Sequence, residues 1–71
     1  MYLKELKTGE RAVIKEIMGG INLRRKLVQL GLIPGTEVKI VENRKFGPVI
    51  IEVFGTRLII GEGMAGKVVI K

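Results

Sequence analysis

Apolar residues recur at two spacings along this chain: alternating over most of it, and three to four apart over one short stretch. Residues 36–42 alternate cleanly, with Val38 and Ile40 on one face and Glu37, Lys39 and Val41 on the other. That pattern is the signature of a strand buried on one side. Residues 49–54 repeat it, opposing Val49, Ile51 and Val53 to Ile50, Glu52 and Phe54. Residues 57–60 pair back through Leu58 and Ile60, across a two-residue turn expected at Gly55-Thr56 of the II′ kind. Val68 and Ile70 make residues 67–71 a last strand. Residues 11–18 are expected as the first long strand, with Val13 and Ile17 on one face and Ala12 and Ile14 on the other.

The helical spacing is confined to Leu23, Leu27 and Leu30, which fall at i, i+4 and i+7. Gly19-Gly20 frees the chain to enter this helix, and Asn22 is the expected N-cap, its side-chain oxygen accepting a first-turn N–H. Gly31 stands where a left-handed residue would end the helix, with Leu32 folding back on Leu27. Pro34 pushes Ile33 toward extended backbone, and Pro34-Gly35 suits the centre of a type II turn. Tyr2, Leu3 and Leu6 mark an N-terminal segment laid across the core, and residues 7–10 form a turn. Residues 43–48 read as a loop, and 61–66 as a glycine-rich connection with one turn of 3₁₀ helix around Met64-Ala65. Five short strands and one short helix after the first long strand predict a mainly β fold, a small closed barrel without free edges.

Composition narrows what such a barrel can be. With 71 residues and no cysteine or histidine, neither disulfides nor a Cys/His zinc site can hold it together, so stability rests on an aliphatic core. Residues 1–71 are expected to be a single domain. The absence of cysteine suits a reducing compartment. No run approaches the roughly 20 apolar residues that span a bilayer, and the N-terminus lacks a signal-peptide pattern. A cytoplasmic location without membrane insertion is expected. The 13 Lys and Arg outnumber the seven acidic residues, giving a net charge of +6 that invites an acidic partner.

The reactive side chains are missing. Besides Cys and His the chain lacks Ser and Asp, which removes most nucleophiles and the commonest general base, so no enzyme activity and no catalytic residues are expected. Gly61-Glu62-Gly63 before Gly66 lacks the Lys-Ser/Thr of a phosphate loop. Ferrous sites favour imidazole with carboxylate, and Glu62 with Met64 in a glycine-rich turn reads as a cap over the core. No metal ligands and no cofactor are expected.

The chain as a whole resembles the FeoA-type proteins of bacterial ferrous iron transport. The resemblance is carried by Leu3, then Leu6-Lys7-Thr8-Gly9, by Arg25-Lys26-Leu27, and by Leu30-Gly31-Leu32-Ile33-Pro34-Gly35-Thr36-Glu37-Val38. It continues through Gly47-Pro48-Val49-Ile50-Ile51-Glu52-Val53, Gly55-Thr56-Arg57-Leu58 and Ala65-Gly66-Lys67-Val68-Val69-Ile70, with Gly61 where the family often has a basic residue. The resemblance implies an SH3-like β-barrel and a small cytosolic accessory of FeoB, the membrane ferrous-iron transporter with a GTP-binding domain. A family-level label of transition metal ion binding comes with it.

Barrels of this kind bind through loops and the grooves between them. The expected partner surface joins Arg24, Arg25 and Lys26 to the corner of Leu30, Leu32, Ile33 and Pro34 and to the loop of Arg44, Lys45 and Phe46. The three cations stand in the first turn of a helix capped by Asn22, where the helix dipole disfavours them and no acid compensates. Two other readings stay open. A basic β-barrel can bind nucleic acid, although the charges are dispersed and three aromatic residues make no stacking platform. A small barrel can also self-associate weakly, through Phe46 or an edge strand.

Overall fold

Strand β1 (Arg11–Ile17) changes partners along its length, and the rest of the fold is arranged around that change. In this computed structural model, which describes residues 1–44 and 46–71, Arg11, Ala12 and Val13 pair antiparallel with β2 (Glu37–Asn43). From Ile14 onward β1 pairs instead with β5 (Val68–Ile70). A bulge at Lys15 separates Ile14, opposite Ile70, from Glu16, opposite Val69. The extra residue turns the strand over, so that Ile14 and Ile17, three positions apart, are both buried. Strict alternation pairs Val13 with Ile17, and the bulge is the reason that expectation fails.

The remaining strands follow as hairpins. A 3₁₀ turn, Leu3–Glu5, precedes β1; α1 (Ile21–Gln29) follows it; β3 (Val49–Val53), β4 (Thr56–Ile60) and a short helix α2 (Glu62–Ala65) come after β2. The sheet order is β4-β3-β2-β1-β5, antiparallel throughout. A second bulge in β2, between Ile40 and Glu42, adds to its coiling. Alternation is obeyed where it was cleanest: Val38, Ile40, Val49, Ile51, Val53 and Ile60 are all buried, joined by Leu3, Leu6, Leu27, Leu32, Ala65, Val68 and Ile70. The architecture is the expected small β fold with one helix after the first strand. Closure is not as expected, because β4 and β5 share no ladder among the described residues and are joined through α2.

Three local expectations are corrected. The helix starts two residues before the expected position, with Gly20 rather than Asn22 as N-cap and Arg24 N–H bonded to the Gly20 carbonyl at 3.1 Å. Packing decides this. Gly19 has φ +125°, and a methyl group there would come within 2.8 Å of Leu23 Cδ2, so the chain turns tightly beneath Leu23 as it enters the helix. The hairpin turn is Phe54-Gly55 rather than Gly55-Thr56, since Val53 pairs with Thr56 and both turn residues have positive φ, as a type I′ turn needs. The connection at 62–65 is one α-helical turn rather than 3₁₀.

Asn43 is the last residue of β2 rather than the start of a loop. Its backbone N–H donates to Thr8 Oγ1 at 3.1 Å, and its side-chain amide donates to the carbonyls of Lys4, at 2.9 Å, and Leu6. These bonds fix the segment that delivers Leu3 and Leu6 to the core.

Two glycine replacements separate backbone constraint from packing. Gly19→Ala is expected to cost about 1–3 kcal/mol, since it meets both a left-handed φ and Leu23. Gly63→Ala, inside α2 with open space around it, is expected to stabilise by about 0.4–1 kcal/mol. Urea titrations of the two variants against the parent chain measure both.

Candidate functional site

Helix α1 has an inner and an outer face. Leu27 is buried and Leu23 half-buried, which turns Ile21, Arg24, Arg25 and Val28 outward together, since they lie at i, i+3, i+4 and i+7. Beside them a groove of about 230 Å³ is lined by Arg24 and Val28 from α1, Glu16 and Ile17 from β1, and Pro34 from the turn before β2. Arg24, Arg25 and Lys26 are all exposed and enter no ion pair among the described residues. Because the helix begins at Ile21, these cations sit past the first turn, and Lys26 lies in the last turn, where the dipole favours it. The dipole therefore gives no reason to regard the patch as costly. Its exposure between apolar neighbours is what distinguishes it.

The corner after the helix forms as its residues predict. Gly31 has φ +89°, its N–H bonds to Val28 O at 2.9 Å, and Leu32 N–H bonds to Leu27 O at 2.9 Å. Both bonds of a Schellman motif are present. Thr36 N–H then closes the Pro34-Gly35 turn on Ile33 O at 3.1 Å, with Gly35 at φ +93°. This geometry separates the predicted corner residues. Leu32 is 0% exposed and belongs to the core, so its part is to anchor the corner, not to touch a partner. Leu30, Ile33 and Pro34 reach the surface.

Phe54 joins this corner and was not singled out in the sequence. Its backbone has φ +50° and its ring is 82% exposed, yet two ring carbons lie where a side chain on Gly31 would be touched, at 3.7 Å. A bulky residue in left-handed backbone is uncommon and strained. The sequence signal for this turn is the Phe-Gly dipeptide between two alternating runs.

The loop of Arg44 and Phe46 contributes to a second groove, about 270 Å³, with Glu42, Pro48, Ile50 and Ile59. Arg44 Nε holds Glu42 Oε1 at 3.0 Å, and Gly47 N–H reaches Glu62 Oε2 at 3.4 Å. Phe46 is 80% exposed, its ring turned outward. Lys45 lies outside the described residues. The two grooves have no lining residue in common.

Among the described residues no three His, Cys, Asp or Glu side chains converge, and no helix is long and apolar enough to cross a membrane. The FeoA domain model matches residues 1–71. The chain belongs to the FeoA family. It is 35% identical over 65 residues to a protein of Methanocaldococcus jannaschii named as Fe(2+) transport protein A, covering 92% of this chain and 78% of the relative. A crystal structure of an FeoA iron uptake regulatory protein superimposes with a TM-score of 0.94 at 41% identity, covering 100% of this chain and 95% of that one. The zinc-complexed FeoA of Stenotrophomonas maltophilia, described as an SH3 domain protein, gives 0.85 at 28% identity, with coverages of 100% and 89%. The fold is thus the SH3-like fold of FeoA. FeoA proteins are accessory proteins of ferrous iron transport and not a known enzyme family.

The strained turn of this FeoA domain is open to test. Phe54→Asn supplies the Asn-Gly dipeptide that a type I′ turn prefers, and should stabilise the fold by about 1 kcal/mol. The measurement is the urea midpoint at constant slope; a lowered midpoint would show that the ring's contact at Gly31 outweighs the backbone strain.

Proposed function

We propose that this chain is an accessory, regulatory protein of ferrous iron uptake that acts by contact with a FeoB-type membrane transporter, its GTP-binding domain the docking partner. The protein works as a single cytoplasmic domain, residues 1–71, as a monomer or weak homo-oligomer. It needs no enzymatic step, cofactor, nucleic acid or membrane insertion of its own. Membership of the FeoA family supports the process, and the S. maltophilia relative is described as a candidate ferrous iron transport activating factor. The contact itself rests on one observation: Ile21, Arg24, Arg25 and Val28 interleave cations and apolar side chains on the outer face of α1, beside a groove ending at Pro34. Nothing in the core requires that face. Apolar anchors ringed by charge are the usual anatomy of a protein contact.

Nucleic-acid binding is left with net charge as its support. The exposed rings Phe46 and Phe54 line different grooves and cannot stack successive bases on one platform.

The test is an NMR titration of the labelled chain with the GTP-binding domain of FeoB from the same organism, beside a parallel titration with a short oligonucleotide mixture. Shifts should cluster at residues 21–34 with the protein partner. Arg24→Glu combined with Arg25→Glu should weaken that binding about tenfold while unfolding stays cooperative, since both side chains are exposed. Unchanged affinity removes this face from the account. Oligonucleotide binding that falls steeply with salt would favour the nucleic-acid reading instead.

A further inference from the structure

The two ends of the sheet are treated differently. At one end β5 is covered, since Tyr2 bridges Val69 and Ile70 N–H bonds to the Met1 carbonyl at 2.9 Å. At the other end β4 pairs with β3 alone, and among the described residues no backbone group of Thr56–Ile60 bonds to anything beyond that strand. The two-residue turn fixes which groups are left over. Val53 and Thr56 close the hairpin as a hydrogen-bonded pair, and bonded and non-bonded pairs alternate from there. The N–H and C=O groups of Arg57 and Ile59 therefore face outward along the edge.

Proteins commonly blunt such an edge with charge, proline or a covering segment. Here it carries an apolar strip. On the outer face Ile59 stands opposite Ile50, with Glu42 beyond it on β2, and Phe46 and Pro48 wall the same groove. Ile59 is 70% exposed. The neighbouring row runs Lys39, Glu52, Arg57, so its one acid lies between two cations.

We propose that the free edge of β4 docks an extended acidic peptide segment of a partner protein, added as a further strand. An acidic residue of the segment meets Arg57, and an apolar residue two positions away seats against Ile59, Ile50 and Phe46. The alternating period of a strand places both on the same face. Charge selects this occupant over a second copy of the chain. Antiparallel pairing of two β4 strands about Leu58 sets Arg57 of each against Ile59 of the other, on a strand, Thr-Arg-Leu-Ile-Ile, with no acid, between chains each carrying +6. The inference rests on the edge itself and stands apart from the transporter contact at α1.

The probe is the acetylated peptide Thr-Glu-Thr-Ile-Thr-Glu amide, whose acids stand two positions from its one apolar residue, titrated into the labelled full chain beside the same peptide with Lys for Glu. The acidic peptide should shift the Arg57 and Ile59 amides, slow their exchange with solvent, and bind more tightly than the Lys peptide. Arg57→Glu should reverse that preference by about three- to five-fold, the scale of one exposed ion pair. Ile59→Pro removes an outward N–H without touching the β3 ladder and should abolish binding with the remaining spectrum retained. If Ile59→Pro does not fold, Arg57→Glu decides alone. Equal binding of both peptides, no binding of either, or shifts confined to residues 21–34 would overturn the proposal. So would a doubling of mass by light scattering without peptide, which would give the edge to a second copy.

Discussion

The one-residue bulge at Lys15 is the constraint on which this small fold depends. A flat strand would commit β1 to a single pair of neighbours and bury every second side chain. With the bulge, β1 serves β2 with its first half and β5 with its second, and buries Ile14 and Ile17 together. The change of partner makes a compact sheet from strands of three to seven residues, with no disulfide to help. Backbone bonds at the junction hold it: Ile14 N–H to Thr36 O at 2.9 Å and Gly35 N–H to Ile14 O at 2.8 Å. The Pro34-Gly35 turn is thus braced against β1, which in turn fixes where α1 ends and where its groove lies.

The sequence revealed the fold wherever a residue's own preference and its tertiary role agree. Val38 and Ile40, or Val49, Ile51 and Val53, alternate because each strand has one wet face. Gly31 and Gly35 occupy the left-handed positions that helix and turn termination demand. The failures come where two preferences compete. Asn22 is a better N-cap than Gly20 by local chemistry, but the packing of Leu23 over Gly19 outweighs one capping bond. Phe54 is an unfavourable residue for left-handed backbone, so a turn centred on Gly55-Thr56 looks better locally. The ladder from Val49 to Val53 overrides it. A bulge leaves no compositional mark at all.

The site was less legible than the fold. Exposure of Arg24, Arg25 and Phe46 agrees with their types, but the apolar spacing around Leu30 does not say which leucine turns inward, and it is Leu32 that does. Ile59 looks like an ordinary strand residue in the sequence. Only the sheet order shows that its strand is last and its face uncovered. A single chain position cannot carry that information, because it depends on what lies beyond the strand.

The asymmetry between the two ends of the sheet has a consequence for solubility. A sheet with one capped end and one open end offers a single edge to which a strand can be added. The cap is only the Tyr2–Val69 bridge and the bond from Ile70 to Met1, set beside a segment held by Asn43. Loosening it would leave unlike edges at both ends of one molecule, and head-to-tail pairing of unlike edges runs on as an open fibre unless the rotation between copies closes a ring. The N-terminal residues thus leave the sheet one open edge in place of two.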